Sequence, residues 1–104
     1  MEFLVEIDVR LPDEMSAVEI ARLVGAERER GALLRDQGKI KRIWRIPGRM
    51  RNVGIWEAED ATALHAAITS LPLARWLDVQ VTPLAVHPLE VSSESLEAPP
   101  DDVG

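Results

Sequence analysis

The sequence of 104 residues contains no cysteine, no tyrosine and only one phenylalanine. The missing thiols exclude disulfide bonds, thiol catalysis and thiolate metal sites. The two histidines, His65 and His87, stand apart without the spacing of metal ligands, so we expect no metal site. No apolar run approaches the roughly 18 residues of a membrane span, and Met1 leads into a strand-like stretch rather than a signal peptide. We therefore expect a cytoplasmic protein without membrane contact.

The formal net charge of −6 is unevenly distributed along the chain. Residues 88–104 hold five acids and no base, which leaves a net charge of −1 on residues 1–87. Half of the bases lie between Lys39 and Arg51, where there is no acid. Nucleic acid is disfavoured as a partner, whereas a small anion fits the basic stretch. An RNA-recognition sheet is not supported either, because the third strand offers Trp56 as its one aromatic residue.

Hydropathy periodicity predicts four strands and two helices in the order βαββαβ. Residues 2–11 alternate as a half-buried strand, and residues 16–37 form a helix. Ser16 and Glu19 begin this helix as a capping box, and Gly38 ends it as a left-handed cap. The other expected elements are strands over 40–46, 50–58 and 76–84, and a helix that begins at Asp60 and stops at Pro72.

This order predicts an α+β fold, a ferredoxin-like sandwich of the dimeric α+β barrel type, with both helices on one side of an antiparallel sheet. We expect one domain over residues 1–88, followed by an acidic C-terminal arm over 89–104 that orders only against a partner. The other sheet face carries Leu4, together with either Trp44 and Ile46 or Ile43. Such an uncovered face predicts a homo-oligomer.

Glu27 is the most informative candidate residue. It falls in the middle of the apolar stripe of the first helix, where an unpaired charge costs several kcal/mol. Gly31 lies one turn later and leaves space beside it. A carboxylate next to a gap in an apolar wall is suited to act as a general base with a raised pKa. The alternative is a buried ion pair with a strand arginine.

A basic hairpin surrounds Pro47 and Gly48. Arg49 and Arg51 share a strand face and could clamp a small carboxylate, with Arg45 nearby. The alternative is that these are solvated hairpin charges.

Two further polar residues carry open alternatives. Asn52 lies in a strand, where asparagine is disfavoured, and either orients a carbonyl group or marks an irregularity. His87 at the start of the arm serves either a site or the anchoring of the arm.

Several short motifs together resemble the muconolactone Δ-isomerase family over residues 1–88. They are Phe3-x-Val5, Leu11-Pro12, Gly38, Ile43-Trp44-Arg45-Ile46-x-Gly48, Asn52, Leu71-Pro72-Leu73, Asp78-Val79-x-Val81 and His87-Pro88. The resemblance implies a ferredoxin-like fold, homo-oligomers as large as decamers, and arms exchanged between subunits. It also implies a cofactor-free reaction of aromatic catabolism, in which muconolactone becomes 3-oxoadipate enol-lactone.

The resemblance assigns a role to each candidate residue. Glu27 matches an acidic position of the family and would shuttle a proton from C4 to C2 of the lactone. Arg49 and Arg51 would hold the substrate carboxylate, and Asn52 would orient the lactone carbonyl. Trp44 would form an apolar wall, and His87 from an arm would close the site.

The chain also departs from the family pattern. Val24 replaces a lysine, Val86 an arginine and Gly54 a serine, while Arg49 and Met50 stand where the family has histidine and tyrosine. These changes indicate a rearranged anion pocket. Two alternatives to the isomerase therefore remain, a related lactone enzyme such as a chloromuconolactone dehalogenase and a non-catalytic ligand-binding or assembly domain.

Overall fold

The computed structural model describes residues 1–90. It contains four strands, two α-helices and two short 3₁₀ turns. The elements are β1 (Glu2–Val9), α1 (Ala17–Asp36), β2 (Ile40–Arg45), β3 (Arg51–Glu57), α2 (Ala61–Thr69) and β4 (Leu77–Leu84), with 3₁₀ turns at Ala74–Trp76 and Pro88–Glu90. No helix within residues 1–90 is long and apolar enough to cross a membrane.

The four strands form one antiparallel sheet in the order β2-β3-β1-β4. The alternation of β1 buries Phe3, Val5 and Ile7 against the helices, with 1%, 0% and 4% of their surfaces exposed. Each such burial contributes about 1.5–3 kcal/mol. The core also takes Leu34 from α1 and Ile68 from α2. The predicted α+β ferredoxin-like sandwich is confirmed.

The helix caps agree with the sequence in all but one detail. Ser16 Oγ accepts the Glu19 N–H at 3.1 Å, Gly38 has φ +78°, and Asp60 Oδ1 accepts the Ala63 N–H at 2.8 Å. The capping box is only half formed, because the Glu19 carboxylate pairs with Arg22 at 2.7 Å instead of returning to the helix start.

The strand ends are shorter than predicted. β1 ends at Val9 rather than at residue 11. β2 ends before Ile46 and β3 begins after Met50, so both residues belong to the turn between these strands. β4 begins at Leu77 because residues 74–76 wind into a 3₁₀ turn. The predicted arm lies outside the described residues from position 91 onward.

Candidate active site

The first component of the site is the carboxylate of Glu27, which α1 directs toward the sheet. The side chain is half-buried and makes no ion pair within residues 1–90, so the predicted alternative of a paired strand arginine is not formed there. Its Oε1 accepts the backbone N–H of Leu73 at 3.0 Å. Burial raises the pKa of Glu27, and the hydrogen bond from Leu73 opposes this shift.

The turn after α2 fixes the Leu73 donor. Leu71 and Leu73 are buried on either side of Pro72, which has no N–H of its own. The Ala74 N–H bonds to the Leu71 carbonyl at 3.0 Å, and the Trp76 N–H bonds to the Leu73 carbonyl at 2.8 Å. The Leu73 N–H is therefore left for Glu27.

An inner cavity of about 170 Å³ lies between α1 and the sheet. Gly31 forms part of its wall, and a Cβ atom built there would meet no atom within 4 Å. The lining is Ile7, Val9, Glu27, Gly31, Ile40, Ile43, Asn52, Trp56, Leu71 and Leu77. The cavity is thus an apolar chamber with one carboxyl group in its wall.

An outer cavity of about 190 Å³ shares Val9, Glu27 and Asn52 with the inner cavity. Glu27 and Asn52 therefore stand at the junction of the two. The outer cavity is also bordered by the exposed residues Arg28 and Arg45, neither of which forms an ion pair within the described residues. Free guanidinium groups at the mouth of an apolar chamber are suited to bind a small carboxylate.

Two polar atoms around the inner cavity have no hydrogen-bond partner within residues 1–90. They are Asn52 Oδ1 and Trp56 Nε1, and both are buried. A buried polar group without a partner costs about 1–3 kcal/mol, and such groups are uncommon in native proteins. Neither atom is satisfied by the residues that the structure describes.

The two arginines predicted as a carboxylate clamp lie in different surroundings. Arg51 borders the outer cavity, but its guanidinium pairs with Glu6 at 2.6 Å and Asp8 at 2.5 Å on the opposite face of the sheet. Arg49 lies in the exposed hairpin turn and lines neither cavity. The structure does not bring these two guanidinium groups together at Glu27.

Trp44 lies on the sheet face opposite the cavities. Ile43 lines the inner cavity, so Trp44, the next residue in β2, points to the other side. It is 45% exposed there, and the Arg42 guanidinium carbon lies 4.9 Å from its ring centroid. Of the two arrangements left open by the sequence, Trp44 rather than Ile43 occupies the open face.

His87 lies at the far end of the sheet. β1 pairs Glu2 with Leu84 and Val9 with Leu77. The seven residue steps between these pairs separate the two ends by roughly 24 Å. The His87 Nδ1 accepts the Leu89 N–H at 3.1 Å. Neither Trp44 nor His87 reaches Glu27 within one chain, and their roles stay predictions.

Sequence reasoning named Arg45 as part of the basic hairpin but gave it no role, and it missed Arg28, Trp56 and the Leu73 N–H as parts of this site. Strand alternation carried a usable signal, since Arg45 must share the face of Ile43 two residues earlier. The sequence did not decide whether Ile43 or Trp44 faces the core, so the side of the sheet on which Arg45 lies also stayed undecided. The donor at Leu73 is a backbone N–H, so no side chain in the sequence indicates it.

The site combines a half-buried carboxylate, an apolar chamber and free cations at its mouth. This arrangement can hold a small organic anion with its apolar part inside, and can remove a proton from one of its carbon atoms. A larger apolar groove of about 380 Å³ between α2 and β4 has His65 as the one ionisable residue in its lining. Within residues 1–90, no three His, Asp or Glu side chains cluster as metal ligands would.

The chain is similar in sequence to proteins of known name. A family model described as muconolactone delta-isomerase matches residues 1–90. Muconolactone Delta-isomerase 1 of Acinetobacter lwoffii is 37% identical over 95 residues, which cover 90% of this chain and 98% of that protein. The Muconolactone Delta-isomerase of Pseudomonas aeruginosa is 31% identical over 94 residues, with 90% and 98% covered.

The fold matches as well. A crystal structure of muconolactone isomerase at 3.3 Å resolution superposes with a TM-score of 0.82 at 31% identity, covering 89% of this chain and 97% of that one. Sequence and fold agree over nearly the same span, and the chain belongs to the muconolactone delta-isomerase family.

Proposed function

We propose that this protein isomerises muconolactone, or a similar small unsaturated lactone carboxylate, by moving one proton. The observation that carries the proposal is the Glu27 carboxylate, half-buried and without an ion pair at the junction of the two cavities. The names of the relatives favour this reaction over the dehalogenase and the non-catalytic alternatives.

In the proposed reaction, Glu27 removes the proton from C4 of the lactone. The ring double bond then moves from C2–C3 to C3–C4 through a dienolate, whose negative charge rests on the ring carbonyl oxygen. Glu27 then gives a proton to C2. One proton leaves and one is added, so the step needs no oxidant or reductant.

The position of Glu27 supports this role. The Leu73 N–H holds Oε1, which leaves Oε2 without a partner within residues 1–90 to face the substrate. The pKa raised by burial makes the carboxylate a stronger base than an exposed glutamate. The inner cavity has room for about five waters at ~30 Å³ each, or for one five-membered ring.

The outer cavity supports a carboxylate-binding role for Arg28 and Arg45. With the ring in the inner cavity, the acetate group of the substrate points toward these free guanidinium groups. Arg51 is held by Glu6 and Asp8, so we assign to Arg45 and Arg28 the role predicted for Arg49 and Arg51. We keep for Asn52, at the junction of the two cavities, the role of orienting the lactone carbonyl, to which its side-chain NH₂ group donates.

We also propose that the protein assembles through its open sheet face into a homo-oligomer of dimer units, up to a decamer. The exposed Trp44 lies on this face with the half-buried Leu4, Val53 and Ile55. In their own chain, Trp44 and His87 do not reach the site. In such an assembly, they contribute instead to the site of a neighbouring subunit.

The test is the initial rate on (+)-muconolactone for the wild type and Glu27→Gln. We expect the variant to lose at least a hundredfold in kcat and to keep the wild-type fold and oligomer. Glu29→Gln is the matched control, because Glu29 lies on the same helix but is exposed and lines neither cavity. Wild-type activity in Glu27→Gln would overturn the assignment of the base.

A further inference from the structure

Trp56 carries a buried hydrogen-bond donor that the fold does not use. Only 1% of its surface is exposed, and its Nε1 has no partner within residues 1–90. The indole nitrogen can only donate a hydrogen bond, so its missing partner must be an acceptor. Because buried polar groups are nearly always paired, this N–H calls for a partner that is not part of the described chain.

The surroundings of Trp56 narrow the choice of partner. Its side chain lines the inner cavity together with Glu27 and Asn52, and every other lining residue is aliphatic or glycine. The buried Oδ1 of Asn52 is an acceptor. The Trp56 N–H has almost no accessible surface in this structure, so a ligand oxygen in the cavity reaches it when the indole ring turns toward that oxygen.

We infer that the Trp56 indole N–H donates to the ring carbonyl oxygen of the substrate, an inference that rests on the proposed function. This oxygen takes up negative charge when the proton leaves C4, and a donor in a site shielded from water stabilises that charge. The indole keeps its proton throughout. The proton that leaves C4 goes to Glu27, whose carboxyl group exchanges with solvent, and Glu27 then gives a proton to C2.

The inference also sets a requirement on the substrate. The ring carbonyl faces Trp56 inside, while the carboxylate faces Arg28 and Arg45 outside. A substrate must therefore carry its two oxygen-bearing groups on opposite sides of a small ring. Muconolactone has this arrangement, with its carbonyl and its acetate arm on opposite sides of the ring oxygen.

Trp56→Phe tests the donor because it removes the N–H and keeps an aromatic ring. If the wild type converts muconolactone, we expect kcat to fall about a hundredfold, with KM changed less than about threefold. The control is Trp76→Phe, which we expect to leave kcat unchanged. Trp76 lines neither cavity and contacts Arg75, whose guanidinium carbon is 5.3 Å from the ring centroid.

A second measurement does not depend on activity. Glu27→Gln protein labelled with ¹⁵N shows one indole N–H resonance for each of its three tryptophans. On addition of muconolactone, we expect the Trp56 proton to move downfield and the Trp76 proton to stay in place. This reading decides the question even if Trp56→Phe fails to fold.

The outcomes separate the two proposals. If the wild type converts muconolactone but Trp56→Phe does so equally well, the inference about Trp56 is overturned and the proposed function stands. An unmoved Trp56 resonance at saturating muconolactone overturns it in the same way. If the wild type does not convert muconolactone, muconolactone falls as the substrate of the proposed function, and the inference about Trp56 falls with it.

Discussion

At the scale of single residues, the charge of Glu27 is disfavoured by its surroundings. Burial raises its pKa above the ordinary value of 4.5, and one backbone N–H offsets part of the shift. The protonated form is thus favoured more in the folded than in the unfolded chain. The contribution of Glu27 to the stability of the folded protein is therefore complete below its unfolded-state pKa. It is lost as the pH rises through its folded-state pKa.

Two pH dependences follow for Glu27. The acid limb of kcat/KM lies above pH 4.5, because the base must be deprotonated to act. Glu27→Gln melts at a higher temperature than the wild type at pH 7, and the difference shrinks as the pH falls toward 4. Rate profiles and thermal melts across this range check both expectations. A Glu27→Gln variant that is stabilised equally at every pH would contradict them.

Arg45 and Arg28 are predicted to bind the substrate carboxylate. Arg45→Gln or Arg28→Gln should raise KM by about tenfold to a hundredfold, the effect of losing one charged hydrogen bond of about 1.5–3 kcal/mol. The methyl ester of muconolactone lacks the charge and should respond little to either change. Arg35→Gln, at the exposed end of α1, is the control. If Arg49→Gln raises KM while Arg45→Gln does not, the hairpin turn binds the carboxylate instead.

Gly31 is predicted to favour activity at the expense of stability. Gly31→Ala meets no atom within 4 Å and should gain about 1 kcal/mol of helix stability, while its methyl group narrows the inner cavity. We expect a higher Tm and a kcat/KM lowered at least severalfold. Gly25→Ala on the same helix has equal space but lies outside both cavities, so it should gain Tm alone. Equal activities of the two variants would contradict this role.

At the scale of elements, Gly54 allows β2 and β3 to approach closely. A Cβ atom at this position would lie 2.7 Å from the Arg42 carbonyl oxygen, next to the register shift between Ile40 and Arg42. A side chain at position 54 would therefore push β2 and β3 apart. We expect Gly54→Ser to lower the free energy of unfolding by about 1–3 kcal/mol in urea titrations. An unchanged midpoint would show that β2 shifts freely.

Elements with their own local signals were predictable from the sequence. The alternation of β1, the caps at Ser16 and Asp60, and the left-handed Gly38 each depend on neighbouring residues, and the structure confirms them. Residues 74–76 depend on how α2 packs, so their 3₁₀ turn was not predicted. The half-formed capping box shows the same limit, because Arg22 competes for Glu19.

The site was predictable only in part, for a related reason. Glu27 interrupts an apolar stripe, a pattern that the sequence displays directly. Arg45 and Trp56 belong to the site because of the face on which β2 and β3 place them, which pairing across the sheet decides. Arg51 was predicted to bind the substrate carboxylate, but its guanidinium pairs with Glu6 and Asp8, which lie 45 and 43 residues away in sequence.

At the scale of the whole molecule, the open sheet face is predicted to bury itself against another copy. Leu4→Lys places a charge on this face, which costs several kcal/mol if the face is covered and little if it is not. We expect a shift to smaller species in analytical ultracentrifugation, with a fall in turnover as sites lose their neighbours. Val18→Lys is the control, since Val18 is 80% exposed on α1. A fully active Leu4→Lys monomer would contradict the shared site.

Glu27 is the group proposed to move the proton. Its most direct test follows muconolactone by proton NMR in heavy water, with wild type, Glu27→Gln and Glu29→Gln side by side. The half-buried carboxyl group exchanges with solvent, so we predict deuterium at C2 of the product from the wild type and Glu29→Gln, and no product from Glu27→Gln. Product from Glu27→Gln at the wild-type rate, labelled in the same way, would contradict the account.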